Sequence, residues 1–172
     1  DMKKTYERYL QAAELGFAPA YSKVGSFHYL GLIGSVNYEE AAKWYGKGAE
    51  YGDADAQYNL AQCYYLGRGV EQNYTTAVRW CAKSATQENV NAQYLLGTMY
   101  YNGSGVQQDY EMAVLWYSKA VEKEHPAALY DLGICYYYGL GVAKNRDKAI
   151  ELWDLSAEQE FEDAINALKE LK

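Results

Sequence analysis

Sliding the chain along itself by 36 residues lays "ADAQYNLAQCYYLGRGV" over "VNAQYLLGTMYYNGSGV" and then over "PAALYDLGICYYYGLGV" without a gap. "APAYSKVGSFHYLGLIG" joins the same register with weaker agreement, so four units stand at 18–53, 54–89, 90–125 and 126–161, between a 17-residue leader and an 11-residue tail. A period between about 20 and 50 residues marks stacked supersecondary units, none of which can bury its apolar face alone. Whatever one unit folds into, all must, and neighbours must complete each other's core.

Within a unit, Ala56, Leu60, Ala61 and Tyr64 fall along one side of a helix. After a glycine corner, Ala77, Cys81, Ser84 and Ala85 mark a second helix, echoed by Ala113, Tyr117, Ala120 and Val121. Each unit is therefore a helical hairpin, and the chain is all-α. Gly25, Ala61, Gly97 and Gly133 recur inside the first helix, where glycine costs about 1 kcal/mol against alanine; a close helix neighbour explains them. Gly31, Gly67, Gly103 and Gly139 follow the first helix as C-terminal caps, and Asn37, Asn73, Asp109 and Asn145 precede the second as N-caps. Val70, Val106 and Val142 lie between the caps and tuck the corner onto the hairpin. A dinucleotide fingerprint would need a strand before the glycines and a third glycine after them, and a P-loop would need Gly-Lys-Ser or Gly-Lys-Thr; neither is present.

Composition narrows the function class. The chain has 172 residues and a net charge of −7 spread along its length, which opposes a nucleic-acid or anionic-membrane surface and fits a neutral or basic partner. No apolar run approaches the roughly 20 residues of a membrane span, so direct insertion is not expected. Three cysteines without a C-x-x-C and two isolated histidines, His28 and His125, suggest neither a disulfide framework nor a metal site, and no cofactor is expected. The stretch "DMKKTYERYL" carries no signal peptide, but the chain could be a piece of a longer one, and the compartment is left unassigned.

The pattern Ala-Gln-Tyr-x-Leu-(Gly/Ala), Tyr-x-x-Gly-x-Gly-Val, Asn/Asp-Tyr and Ala-x-x-Trp resembles the Sel-one-like repeat, a relative of the tetratricopeptide repeat. Ala92, Leu96, Gly97, Tyr100, Gly103, Gly105, Val106, Asp109, Tyr110, Ala113 and Trp116 carry it in family order. The resemblance covers essentially the whole chain as one repeat domain. It implies a right-handed α-solenoid, a superhelix of stacked antiparallel helical hairpins, used as an adaptor in protein complexes with first helices lining a concave groove. The first unit departs with His28 for the usual tyrosine and "GLIGSVN" for the usual corner; the last has Leu152 at the Trp position and Trp153 one place on. Residues 1–17 read as a lone second helix, and 162–172 as a short first helix, with Lys169 and Lys172 suggesting a polar end cap or a cut through a longer array.

Tyr58, Gln62 and Tyr65 lie on the first-helix face opposite to Ala56, Leu60 and Tyr64. Their counterparts are Ser22, Ser26 and Tyr29, then Tyr94, Thr98 and Tyr101, then Tyr130, Ile134 and Tyr137. With packed helices roughly 8 to 10 Å apart, four units would align these along a groove on the order of 30 Å, the span of about ten extended residues. The recurrence of these tyrosines favours a role in packing adjacent first helices over contact with a ligand. Gln62, Thr98 and Ile134 vary, and with Asp55, Leu66, Asn91, Asn102 and Tyr138 at the edges they are expected to set selectivity for a bound protein segment. Two rivals stand beside the peptide-binding adaptor. Cysteine-rich relatives are described as penicillin-binding or β-lactamase proteins, but no Ser-x-x-Lys or Gly-x-Ser-x-Gly occurs here, so no catalytic residue is assigned. The other is self-association through the solenoid ends.

Overall fold

A computed structural model describes residues 1–171; Lys172 lies outside the described residues. Among those described there are ten α-helices and no strand, and they fall into two compact units, from Asp1 to Asn89 and from Val90 onward. The first unit holds α1 (Met2–Glu14), α2 (Ala18–Tyr29), α3 (Tyr38–Glu50), α4 (Ala54–Leu66) and α5 (Tyr74–Thr86). The second holds α6 (Val90–Asn102), α7 (Tyr110–Val121), α8 (Pro126–Tyr138), α9 (Arg146–Glu158) and α10 (Glu162–Glu170). In each unit consecutive helices pack on one another, the tightest pairs being the hairpins α2/α3, α4/α5, α6/α7 and α8/α9.

The corner of each hairpin is fixed largely by backbone. The side chains of Asn37, Asn73, Asp109 and Asn145 accept from the amides of Glu40, Thr76, Met112 and Lys148 at 2.9, 2.9, 2.9 and 3.0 Å. Their own amides donate back to the carbonyls of His28, Tyr64, Tyr100 and Tyr136 at 2.8–3.0 Å. Because that second bond uses a carbonyl, His28 replaces tyrosine without loosening the corner. Its ring instead meets the Tyr6 hydroxyl of α1 at 3.2 Å.

The repeated Gly-x-Gly has two separate causes. Gly67 and Gly139 end α4 and α8 in the left-handed conformation, at φ 67° and 76°. The second glycine makes room for backbone: a Cβ on Gly69 would overlap the Tyr38 carbonyl, and one on Gly141 the Tyr110 carbonyl, each at the start of the preceding second helix. The first corner has Ile33 at this position, and there the chain leaves an open hollow lined by Met2, Tyr6, Leu32 and Ile33 in place of a tight contact.

Within each hairpin a large ring lies across a small residue. A Cβ on Gly25 would sit 2.5 Å from the Tyr45 ring and one on Gly97 2.6 Å from the Tyr117 ring; Gly133 is covered in the same way by Trp153. Tyr45, Tyr117 and Trp153 are 3%, 1% and 3% exposed, so each ring is fully committed to this contact. Trp153 thus fills the tyrosine position of the hairpin, while Leu152, buried as well, occupies the place held elsewhere by Trp44, Trp80 and Trp116. In the second repeat both partners change, to Ala61 and Cys81, and both are fully buried. The methyl that would collide with a ring is tolerated because the ring is gone.

Two stability outcomes follow from this pairing. Gly97→Val should lower unfolding free energy by about 2–3 kcal/mol through overpacking against Tyr117, read by chemical denaturation. Cys81→Tyr alone should destabilise by a similar amount, about 2 kcal/mol, and adding Ala61→Gly should restore more than half of the loss, a coupling that a double-mutant cycle measures.

Candidate functional site: the inner face of the first helices

The side chains predicted for a binding face divide by what their far ends do. Tyr29, Tyr65 and Tyr101 each set an edge against the first residue of the following second helix, with ring centroids 5.0, 5.2 and 5.2 Å from Tyr38, Tyr74 and Tyr110. In the last repeat that residue is Arg146, whose guanidinium lies 5.8 Å from the Tyr137 ring. These tyrosines are corner locks. The Arg68 guanidinium adds to the first of them, donating to the Tyr29 hydroxyl and lying over the Tyr29 and Tyr38 rings.

The tyrosines one turn earlier are half-buried between helices. Burial pushes the Tyr58 hydroxyl above its ordinary range. Tyr94 stacks on His125 at 4.7 Å and donates to Asp131 Oδ2 at 3.0 Å. Tyr130 lies 5.7 Å from Phe161 and 6.2 Å from Trp153. Asp55 is exposed and accepts from Asn89 Nδ2 at 2.9 Å. Leu66 and Tyr138 are 46% and 62% exposed, and Asn91 and Asn102 are exposed as well.

In the first unit α2 and α4 frame a hollow of about 180 Å³ lined by Ser26, Tyr29, Leu30, Tyr45, Asn59 and Gln62. Its floor is the Tyr45 hydroxyl, which reaches past Gly25 and meets Ser26 Oγ at 3.2 Å. Seventy-two residues further on, the second unit carries Thr98, Tyr101, Asn102, Tyr117, Asp131 and Ile134 at the matching positions. Tyr117 again passes the glycine and donates to Thr98 Oγ1 at 3.4 Å. The structure therefore brings Gln62 and Tyr29 together in one hollow, and ties Thr98 into the core through Tyr117.

Sequence reasoning passed over Asn59, Asp131 and the tyrosines at the floor. The signal for the first two was present: Lys23, Asn59, Leu95 and Asp131 share one repeat position and differ in charge and polarity. Tyr45 and Tyr117 were hidden because they belong to the second helix and reach the inner face only where the first helix has glycine. His125 was also missed as the N-cap of α8, where its Nδ1 accepts from the Ala128 amide at 3.2 Å; burial lowers its pKa and keeps the ring neutral.

Asp131 is the electrostatic exception of this face. Burial, only partly offset by the Tyr94 hydrogen bond and reinforced by Asp163, pushes its carboxyl up to about 6. The cysteines show the same effect without any chemistry attached, since burial first of all raises Cys63 to about 11 and Cys81 and Cys135 to about 12. Such thiols stay protonated at neutral pH and are poor nucleophiles. Among the described residues no three His, Cys, Asp or Glu side chains gather as a metal site, and no helix is long and apolar enough to cross a membrane.

A tandem array of capped hairpins defines an α-solenoid of the repeat-protein class. The Sel1 repeat model matches residues 18–53, 54–89, 90–125 and 126–161, and the chain belongs to that family. Its structure is similar to that of c5321, a protective antigen of uropathogenic Escherichia coli strains with an SLR fold: 33% identity, TM-score 0.89, covering 95% of this chain and 35% of that one. It is likewise similar to a Sel1 repeat protein from Oxalobacter formigenes: 32% identity, TM-score 0.88, covering 95% of this chain and 65% of that one. Immunity protein Pa5087 from Pseudomonas aeruginosa, at 22% identity and TM-score 0.61 over 95% of this chain and 60% of that one, shares the fold. The chain thus spans about a third and about two thirds of the first two proteins. Among curated proteins none matches it.

The sign of the Asp131 effect can be tested. Its folded-state pKa lies above the usual carboxylate value of 3.8, so the native state holds the proton more tightly and stability falls as pH rises from about 4 to about 6. Asp131→Asn, which can still accept from Tyr94, should therefore unfold about 1–2 kcal/mol less readily than the parent at pH 7. The difference should shrink toward zero below pH 4 in parallel denaturation curves.

Proposed function

We propose that the protein is a non-catalytic interaction scaffold that holds an extended segment of a partner polypeptide against the inner faces of its first helices. Sel1-repeat proteins are generally protein-interaction scaffolds, and solved relatives with this fold include proteins described as immunity proteins. The observation that carries the reading is the division of labour on this face. Recurrent tyrosines are spent on corners and packing, while Asn59 and Gln62, which differ from repeat to repeat, line the hollow of the first unit, and Asp131 and Ile134 hold the same repeat positions in the second. Packing between like units favours repetition, so variation at Gln62, Ile134, Asn59 and Asp131 is the mark of a surface that meets something not repeated. An amide-lined hollow also suits a peptide backbone, which needs both donors and acceptors. The net charge of −7 favours a neutral or basic segment.

A second reading has one specific support. Leu30, Leu32, Ile33 and Val36 of the first corner are 61%, 38%, 38% and 49% exposed, an apolar group in which Ile33 replaces the glycine of the other repeats and Val36 replaces Gln72, Gln108 and Lys144. Self-association through that corner would show as a mass that rises with concentration in light scattering.

The groove reading is tested with Gln62→Lys combined with Ile134→Lys, at positions whose side chains are not part of the buried core, beside a control Arg79→Glu on the exposed side of α5. All three proteins should give the same helical circular dichroism. Affinity purification with mass spectrometry should find discrete partners on the parent and the control that are depleted about ten-fold on the double variant. An unchanged partner set on the double variant would place the binding surface elsewhere.

A further inference from the structure

The inner face of the second unit contains a half-buried carboxylate that none of the ion pairs among the described residues includes. Asp131 stands on α8 at the position held by Lys23, Asn59 and Leu95 in the other repeats. In the first unit the equivalent Asn59 lines the hollow with Tyr29 and Gln62. Position 131 therefore belongs to the surface that the groove reading assigns to the partner, and its identity is not dictated by repeat packing.

Its surroundings are built for a cation that the chain does not supply. The hydrogen bond from Tyr94 fixes one carboxylate oxygen at 3.0 Å, and an ionised carboxylate offers about four acceptor sites. Among the described residues the two ion pairs are Lys43–Glu40 on α3 and Lys148–Glu151 on α9, both on second helices. The titratable groups that interact with Asp131 are Tyr94 and Tyr101 from α6, Tyr117 from α7, Tyr130 and Cys135 on α8, and Asp163 from α10. None of these is positive at neutral pH, and Asp163 repels. His125, stacked on Tyr94, is held neutral by its own burial.

The tyrosines complete the arrangement. Tyr101 and Tyr130 have hydroxyls pushed up by burial and then by neighbouring groups that include Asp131, and Tyr138 is 62% exposed at the rim. A half-buried carboxylate with tyrosines near it attracts an ammonium or guanidinium by charge-assisted hydrogen bonding, to which a ring face can add. A neutral segment would leave the charge desolvated and uncompensated; an acidic one would be repelled.

We propose that Asp131 is the specificity-determining residue of the second unit, accepting a lysine or arginine side chain of the bound polypeptide while Tyr94 holds the carboxylate in place. This rests on the groove reading and adds the chemistry of one partner residue to it. The cation relieves the cost of the buried charge, so recognition and stabilisation come from the same contact.

The test uses a bead-bound library of N-acetylated, C-amidated decapeptides randomised among Lys, Arg, Glu, Gln, Leu and Tyr, probed with the whole chain, with Asp131→Asn and with Asp131→Lys. The parent should retain peptides with Lys or Arg at one fixed position. Asp131→Asn should retain the same sequences without that preference and bind the best basic decapeptide about ten-fold more weakly, and Asp131→Lys should turn the preference to Glu. Matching circular dichroism and denaturation midpoints no lower than the parent's exclude a folding defect. If the parent retains peptides with no basic preference, or Asp131→Asn keeps one, this assignment falls and the groove reading stands. If the parent retains no peptide, the groove reading fails and takes the assignment with it.

Discussion

A ring laid across a glycine closes three of the four hairpins of this protein. Three times the pair is glycine with tyrosine or tryptophan, and once it is alanine with cysteine. The pairing decides how closely the two helices approach, and the rest of the repeat is arranged around that distance. It also determines what the inner face is made of. A tyrosine that crosses a glycine carries its hydroxyl through to the far side, where Ser26 and Thr98 receive it. The floor of the candidate site is thus a by-product of core packing.

The architecture was legible in the sequence because its causes are local. Periodicity gives the hairpin, and caps such as Asn73 and Asp109 act on amides three residues away. Gly67 ends its own helix. Gly69 and Gly141 were harder to interpret, since the neighbour of each is the first turn of the previous second helix and no local rule requires them. Trp153 misled for a similar reason. In the sequence it looks like the family tryptophan displaced by one place, whereas packing shows it to be a larger version of Tyr45 and Tyr117, with its Nε1 donating to the Tyr130 carbonyl at 3.0 Å.

The site was less legible because a tyrosine can serve packing and binding with the same residue type. Tyr29, Tyr65 and Tyr101 lie where a groove residue should lie, yet each has its edge on the next helix. Periodicity cannot separate the two roles; the contact of the ring can. The varied positions carried better information, and among them Asn59 and Asp131 were overlooked because they lie on the flank of the first helix rather than at its centre. Only the neighbouring first helix, through Tyr94, shows that position 131 faces a shared space.

A repeat protein handles an unfavourable residue differently from a compact domain. Each hairpin is pinned by its own cap and its own contact across a small residue and shares its core with its immediate neighbours alone, so a cost at one position stays local. Asp131 shows how far this goes. Its carboxyl is half-buried, shifted up to about 6 and answered by one phenol, a state that a single tight core would expel or pair. Two sound hairpins flank it, α6/α7 and α8/α9, each with its cap bond of 2.9–3.0 Å intact. Stability supplied by repetition leaves single positions free to be chosen for a partner rather than for the fold, and the positions that break the repeat are therefore where function is to be sought.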